Sequence, residues 1–125
     1  MSKALVIDDS KAIRGILARI LTALGYEVVE AVNGRAALDV VRHQSGWSLV
    51  LVDWNMPEMN GIDFVRAFRS APEHSHIPLM MVTTETNANH MVTALEAGAN
   101  DYIMKPFTGE VISEKLKLLE TLNHQ

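Results

Sequence analysis

The stretch Leu49-Val50-Leu51-Val52-Asp53-Trp54-Asn55-Met56-Pro57 decides how the rest of this chain is read. Its consecutive branched apolar residues predict a strand buried on both faces. A carboxylate at the C-terminal end of such a strand is lifted out of the core on a rigid base. Pro57 cannot donate to a hydrogen-bond ladder and biases Met56 toward an extended conformation, so the chain must turn here. One Asp at a strand end is a weak signal by itself. Asp53 gains weight because other strand ends deliver matching chemistry to the same place.

Upstream, Ala4 to Ile7 is a short apolar run ending in Asp8-Asp9, which predicts a second buried strand. Ser10 is placed to cap a helix in which Ile13, Ile16, Leu17, Ile20, Leu21 and Leu24 recur at helical spacing, and Gly25 suits its left-handed end. Glu27 to Ala31 is interrupted by charge and reads as an edge strand. Asn33-Gly34 opens a helix carrying Ala36, Ala37, Leu38, Val40 and Val41. Downstream, Asn60-Gly61 starts a third helix with Ile62, Val65 and Phe68 on one face, and Pro72 with the polar run after it ends that helix. Ile77 to Val82 predicts a further apolar strand, finishing at Thr83-Thr84-Glu85. A fourth helix carries Met91, Val92 and Leu95 and stops at Gly98. Asp101 to Met104 is a short strand ending at Lys105-Pro106, and a last helix is expected from about Thr108 to Leu122.

Strand and helix alternate with short connections, which calls for a parallel sheet covered by helices on both faces. The strands beginning at Ala4, Leu49 and Ile77 are continuously apolar and belong in the middle; those at Glu27 and Asp101 carry charge and suit the edges. The expected fold is α/β: a doubly wound (βα)5 flavodoxin-like sandwich of strand order 2-1-3-4-5, with ligands bound at the carboxyl ends of its strands.

The 125 residues suffice for one domain with a substantial core and are too few for two. An apolar content of 48% excludes a disordered chain, and no apolar run approaches the ~20 residues of a membrane span. The first residues meet Asp8 and Asp9 too early for a secretory signal, and without cysteine there is neither a disulfide nor a thiolate metal site. A cytoplasmic protein is expected. A formal charge of −4 with scattered Lys and Arg argues against a nucleic-acid face. The histidines, including His74 and His76, lack metal-ligand spacing and are expected to be solvated.

In the 2-1-3-4-5 order, Asp8, Asp9, Asp53, Thr83 and Lys105 fall along one edge of the sheet. Carboxylates brought within about 5 Å of one another repel by roughly 3 kcal/mol per pair at an effective dielectric of 20. Lys105 is the cation that the strand ends supply. An all-oxygen cluster suits a hard divalent ion, and an open site suits Mg²⁺. A carboxylate attacking phosphorus then forms an acyl phosphate, with the Lys105 ammonium and the Thr83 hydroxyl placed to meet the phosphoryl oxygens.

Val6-Ile7-Asp8-Asp9-Ser10, Leu51 to Pro57, Met81-Val82-Thr83 and Lys105-Pro106-Phe107 together resemble the signatures of the response-regulator receiver domain. The resemblance spans the whole chain, so residues 1–125 are expected to be a single receiver domain with no output domain. It implies phosphotransfer to Asp53 from a phosphohistidine on a sensor histidine kinase or from a small phosphodonor. It further implies Mg²⁺ held by Asp9, Asp53 and the Asn55 carbonyl, with Asp8 contributing mostly through water. Thr83 and Lys105 would contact the phosphoryl group, the Lys105-Pro106 bond would be cis, and Tyr102 would be an aromatic switch that turns inward as Thr83 moves. By its chemistry alone, Tyr102 also reads as an amphipathic edge residue with its hydroxyl in water.

Trp54, Asn55, Glu85 and Tyr102 match the chemotaxis type of this family. That type implies control of a flagellar motor switch protein or another protein effector, with the chain a monomer that touches neither nucleic acid nor membrane. A phosphorelay intermediate is the alternative. Asn55, Thr84 and Glu85 are expected to tune dephosphorylation; Thr84 stands where Ala or Gly is commoner, and its bulk hinders a phosphatase or attacking water. On the last helix, Ile112, Leu116 and Leu119 form the core stripe. Val111, Leu118 and Leu122 form a second stripe, either a widened core or, with Tyr102, a face for a partner. An aspartyl-phosphate-forming phosphatase would want a second acid where Asn55 stands, so stoichiometric labelling is expected and substrate turnover is not. A flavodoxin-like flavin carrier would need a hydroxyl- and glycine-rich loop where Asp8-Asp9 stands.

Overall fold

The computed structural model describes the backbone of residues 2–85 and 87–123, and the side chains among these as far as residue 119. The elements alternate strictly: β1 (Ser2–Ile7), α1 (Lys11–Ala23), β2 (Tyr26–Ala31), α2 (Gly34–His43), β3 (Leu49–Val52), α3 (Gly61–Arg69), β4 (Leu79–Thr83), α4 (Ala88–Ala97), β5 (Asp101–Met104) and α5 (Gly109–Asn123). A short 3-10 turn, Pro72–His74, lies between α3 and β4. The five strands are parallel in the order β2-β1-β3-β4-β5.

Every residue of β3 and β4 is buried, as the unbroken apolar runs require of central strands. Alternate side chains feed two cores. Leu5, Ile7, Val50, Val52, Leu79 and Met81 pack with Ile62, Phe64, Val65 and Phe68 of α3 and with Ala37 of α2. Ala4, Val6, Leu49, Leu51, Met80 and Val82 pack with Leu17 and Leu21 of α1 and with Ile112, Leu116 and Leu119 of α5. A one-residue slip of any central strand would exchange these sets, so the register is strongly specified.

That register levels the strand ends. Ile7 of β1 pairs with Val52 of β3, and Val52 pairs with Met81 of β4. Just beyond the strands, the Asp53 amide donates to the Ile7 carbonyl at 2.9 Å and the Lys105 amide to the Thr83 carbonyl at 2.9 Å. Helix starts are fixed by local chemistry. Ser10 Oγ, Asn33 Oδ1 and Asn60 Oδ1 accept from the amides of Ile13, Ala36 and Asp63, closing the first turns of α1, α2 and α3.

Several details depart from the sequence reading. β4 begins at Leu79 instead of Ile77: Pro78 has no amide to give, though its carbonyl accepts from Val50 at 2.9 Å. His74 is not simply solvated. Its ring stacks on Phe68 with centroids 4.1 Å apart and planes 8° from parallel, and Nδ1 lies 2.9 Å from the Phe68 carbonyl oxygen. The polar neighbours of His74 hid this, because a 3-10 turn folds it back over the end of α3. Val111 and Leu118 stand 38% and 60% exposed, so the second stripe of α5 is surface and not a widened core. Leu122 lies outside the residues whose side chains are described. Among the described residues no helix is long and apolar enough to cross a membrane.

Candidate functional site

The C-terminal ends of β1, β3 and β5 bring their polar residues to one point. Asp8 is 1% exposed and Asp53 is 7% exposed, whereas Asp9 stands in solvent. Each of these three offers a carboxylate oxygen within 4.8 Å of the others. Lys105 Nζ donates to Asp8 Oδ2 at 2.7 Å and to Asp53 Oδ2 at 3.2 Å, so one ammonium bridges the ends of outer and central strands. The Lys105-Pro106 peptide that carries it is cis.

Backbone groups hold the carboxylates from behind. The Ser10 amide donates to Asp8 Oδ1 at 2.9 Å, and the Trp54 amide to Asp53 Oδ1 at 2.7 Å. Burial opposes the charged form of Asp8 and pushes its pKa above the usual carboxylate value, with the Asp53 charge adding to this. The Lys105 and Ser10 donors offset that only in part. For Lys105, burial likewise opposes charge. The bond to Asp8 and the negative charges of Asp53 and Asp8 together outweigh it, and the ammonium is held above its ordinary value. Three carboxylates against one ammonium leave negative charge that a hard cation would balance. The donor set is all oxygen, so these residues fit a divalent ion of the Mg²⁺ kind.

Thr83 ends β4 fully buried, and its Oγ1 accepts a long 3.4 Å contact from the Glu85 amide. Thr84 is exposed beside it. Asn55 Nδ2 donates to Glu85 Oε1 at 2.7 Å, joining the loop after β3 to the loop after β4. Tyr102 is 7% exposed, and its hydroxyl donates to the Glu85 backbone carbonyl at 2.6 Å. The reading of its hydroxyl as solvated is thereby corrected: Tyr102 packs into the core shared with α3 and α4. Val111 and Leu118 lie exposed on α5.

Three contributors went unrecognised in the sequence. A Cβ at Gly61 would sit 2.0 Å from the Asp53 carbonyl oxygen, so only glycine lets α3 start hard against the Asp53 backbone. The Gly61 amide donates to the Trp54 carbonyl at 2.8 Å. Arg14 Nη1 donates to the Asp8 carbonyl at 2.7 Å while its Nε pairs with Glu30, bracing the end of β1. His90, on the first turn of α4, packs its ring against Trp54. The Asn60-Gly61 pair signals a helix start but not the close approach to Asp53, and the other two had no signal.

The family model for the response regulator receiver domain matches residues 4–117. This chain belongs to the response-regulator receiver family. The receiver domain is 45% identical over 118 residues to chemotaxis protein CheY1 of Helicobacter pylori, covering 94% of this chain and 95% of that protein. It is 39% identical over 123 residues to chemotaxis protein CheY of Pseudomonas aeruginosa, covering 97% and 98% of the two. Among solved structures, Vibrio cholerae CheY4 superposes with a TM-score of 0.89 at 34% identity, covering 95% of this chain and 98% of that one. The (βα)5 architecture of this receiver domain is thus that of its neighbours.

Proposed function

We propose that this receiver domain is a phospho-accepting response regulator with Asp53 as the acceptor. The observation that supports it is the convergence of Asp8, Asp9 and Asp53 on the Lys105 ammonium at the levelled strand ends. An Asp53 oxygen attacks the phosphorus of a phosphohistidine on a sensor histidine kinase, or of a small phosphodonor. The bond from phosphorus to the donor breaks, and an acyl phosphate forms on Asp53. Asp9, Asp53 and the Asn55 carbonyl would hold Mg²⁺, with Asp8 acting mostly through water. A bound Mg²⁺ supplies neutralisation of charge on the transferring phosphoryl group.

The rest falls to the chain's own groups. Lys105, shared between Asp8 and Asp53, turns to the phosphoryl oxygens as Asp53 loses its free carboxylate. Thr83 donates its hydroxyl to another phosphoryl oxygen, exchanging a long contact for a charge-assisted one. That draws in the loop after β4, to which Tyr102 is tied through the Glu85 carbonyl. The result is a population shift between two packings of the β4–α4–β5 edge.

The output is a protein contact, with chemotaxis and a flagellar motor switch protein as the setting that the relatives favour. Exposed Val92, Leu95, Met104, Val111 and Leu118 on α4, β5 and α5 offer it an apolar surface. The receiver domain acts as a cytoplasmic monomer, labelled once per cycle without turning over a substrate. Incubation with Mg²⁺ and acetyl phosphate, followed by mass analysis, tests the reading. A gain of one phosphate in wild type and none in Asp53→Asn is expected; equal labelling of both proteins, or of neither, overturns it.

A further inference from the structure

We propose that His90 is a positioning residue that sets how long a phosphoryl group survives on Asp53, by pinning Glu85 across the mouth of the site. The inference rests on the phospho-acceptor reading above. Glu85 is gripped from several sides. Its Oε1 accepts from Asn55 Nδ2 at 2.7 Å, its backbone carbonyl accepts from the Tyr102 hydroxyl at 2.6 Å, and His90 Nδ1 lies 3.1 Å from its Oε2.

The imidazole is fixed in turn by Trp54, whose ring centroid lies 4.8 Å away at a 58° tilt. Nδ1 is buried and, among the described residues, has no aligned hydrogen-bond partner despite the short distance to Glu85. A small rotation of either side chain completes that bond, and leaving it unmade is unfavourable for a buried polar atom. Trp54 and Asn55 directly follow Asp53, so His90 and Glu85 tie the first turn of α4 to the acceptor's own loop.

Loss of the phosphoryl group requires water at phosphorus. The water oxygen bonds to phosphorus, and the bond from phosphorus to the Asp53 oxygen breaks, its electron pair returning to the carboxylate. The protons of the water go to inorganic phosphate and to solvent. The Asn55–Glu85 bridge joins the loop carrying Asp53 to the loop after β4, on the open side of the site. A carboxylate held there narrows the approach of water to phosphorus; one released from His90 swings aside and opens it.

The test labels wild type, His90→Ala, His90→Phe and His90→Asn with acetyl phosphate and Mg²⁺, removes the donor by desalting, and follows loss of the phosphate by mass. His90→Ala removes both the ring and the donor, His90→Phe keeps packing on Trp54 alone, and His90→Asn keeps a donor at the Nδ1 position. Label should leave His90→Ala and His90→Phe about threefold faster than wild type, the scale of one part-exposed polar pair, while His90→Asn matches wild type. An unchanged or longer lifetime in His90→Ala overturns the proposal. So does rescue by Phe but not Asn, which would make the ring's packing its whole role. Absence of label on wild type would sink the phospho-acceptor reading itself, a result separate from either of these.

Discussion

Helices α3 and α4 cover the same face of the sheet, each following a central strand, yet they are held in opposite ways. In α3, Gly61, Ile62, Phe64, Val65 and Phe68 are buried; in α4 only Ala94 is, while Val92 and Leu95 are 52% and 51% exposed. The start of α3 is wedged against the Asp53 backbone, whereas the start of α4 is held by the Asn87 cap and by polar contacts through Glu85 and His90. One helix is packed hard against the Asp53 backbone, and the other is held mainly by polar contacts. Weak apolar burial and a polar hinge are the features expected of a segment that shifts between states.

The comparison breaks most sharply at the two helix starts. Gly61→Ala forces a Cβ onto a backbone oxygen and should cost about 3 kcal/mol in urea unfolding, whereas Val92→Ser on α4 should cost less than about 0.5 kcal/mol. Similar values for the two variants would erase the distinction between anchor and responder.

Next in size is the effect of a divalent cation. At about a hundred times its dissociation constant, Mg²⁺ should stabilise wild type by about 2.7 kcal/mol, read as a rise in Tm that EDTA reverses. Asp9→Ala, which removes an exposed member of the carboxylate cluster, should lose most of that rise. A full rise in the variant would place the cation elsewhere.

A smaller effect sharpens the electrostatics of the anchored side. Burial raises the folded-state pKa of Asp8 above its unfolded value, so its favourable contribution is present below about pH 4 and is lost as pH rises through the folded pKa. Without a divalent cation, Asp8→Asn should therefore gain stability relative to wild type as pH moves from 4 to 7. A constant difference across that range would mean that Lys105 fully compensates Asp8.

The smallest change in stability belongs to the responsive edge. Leu118 is 60% exposed, so Leu118→Glu should change unfolding by less than about 0.5 kcal/mol while weakening capture of the phosphorylated protein's partner. Gross unfolding of that variant would return the stripe to the core.

Much of the anchored half was legible in the residues. Unbroken runs such as Leu49–Val52 admit only burial on both faces, which puts β1, β3 and β4 in the middle; together with the flavodoxin-like order that this ranking fits, it aligns Asp8, Asp53 and Lys105. The responsive half was harder to read. Tyr102 sits in a short edge strand whose alternation does not reveal that its ring joins the α3 and α4 core. An Asn-Gly pair reads as a helix start whether or not another backbone lies where a Cβ would go, so the packing role of Gly61 was invisible. Glu85 and His90 share no periodic pattern; their meeting depends on how the loop after β4 folds back over Trp54.

Peptide-resolved amide hydrogen exchange, with and without Mg²⁺ and acetyl phosphate, tests the division of labour most directly. The account predicts that labelling of Asp53 changes protection in the segment 83–104 and leaves α3 at its starting value. A change confined to α3, or spread evenly over both helices, would contradict it.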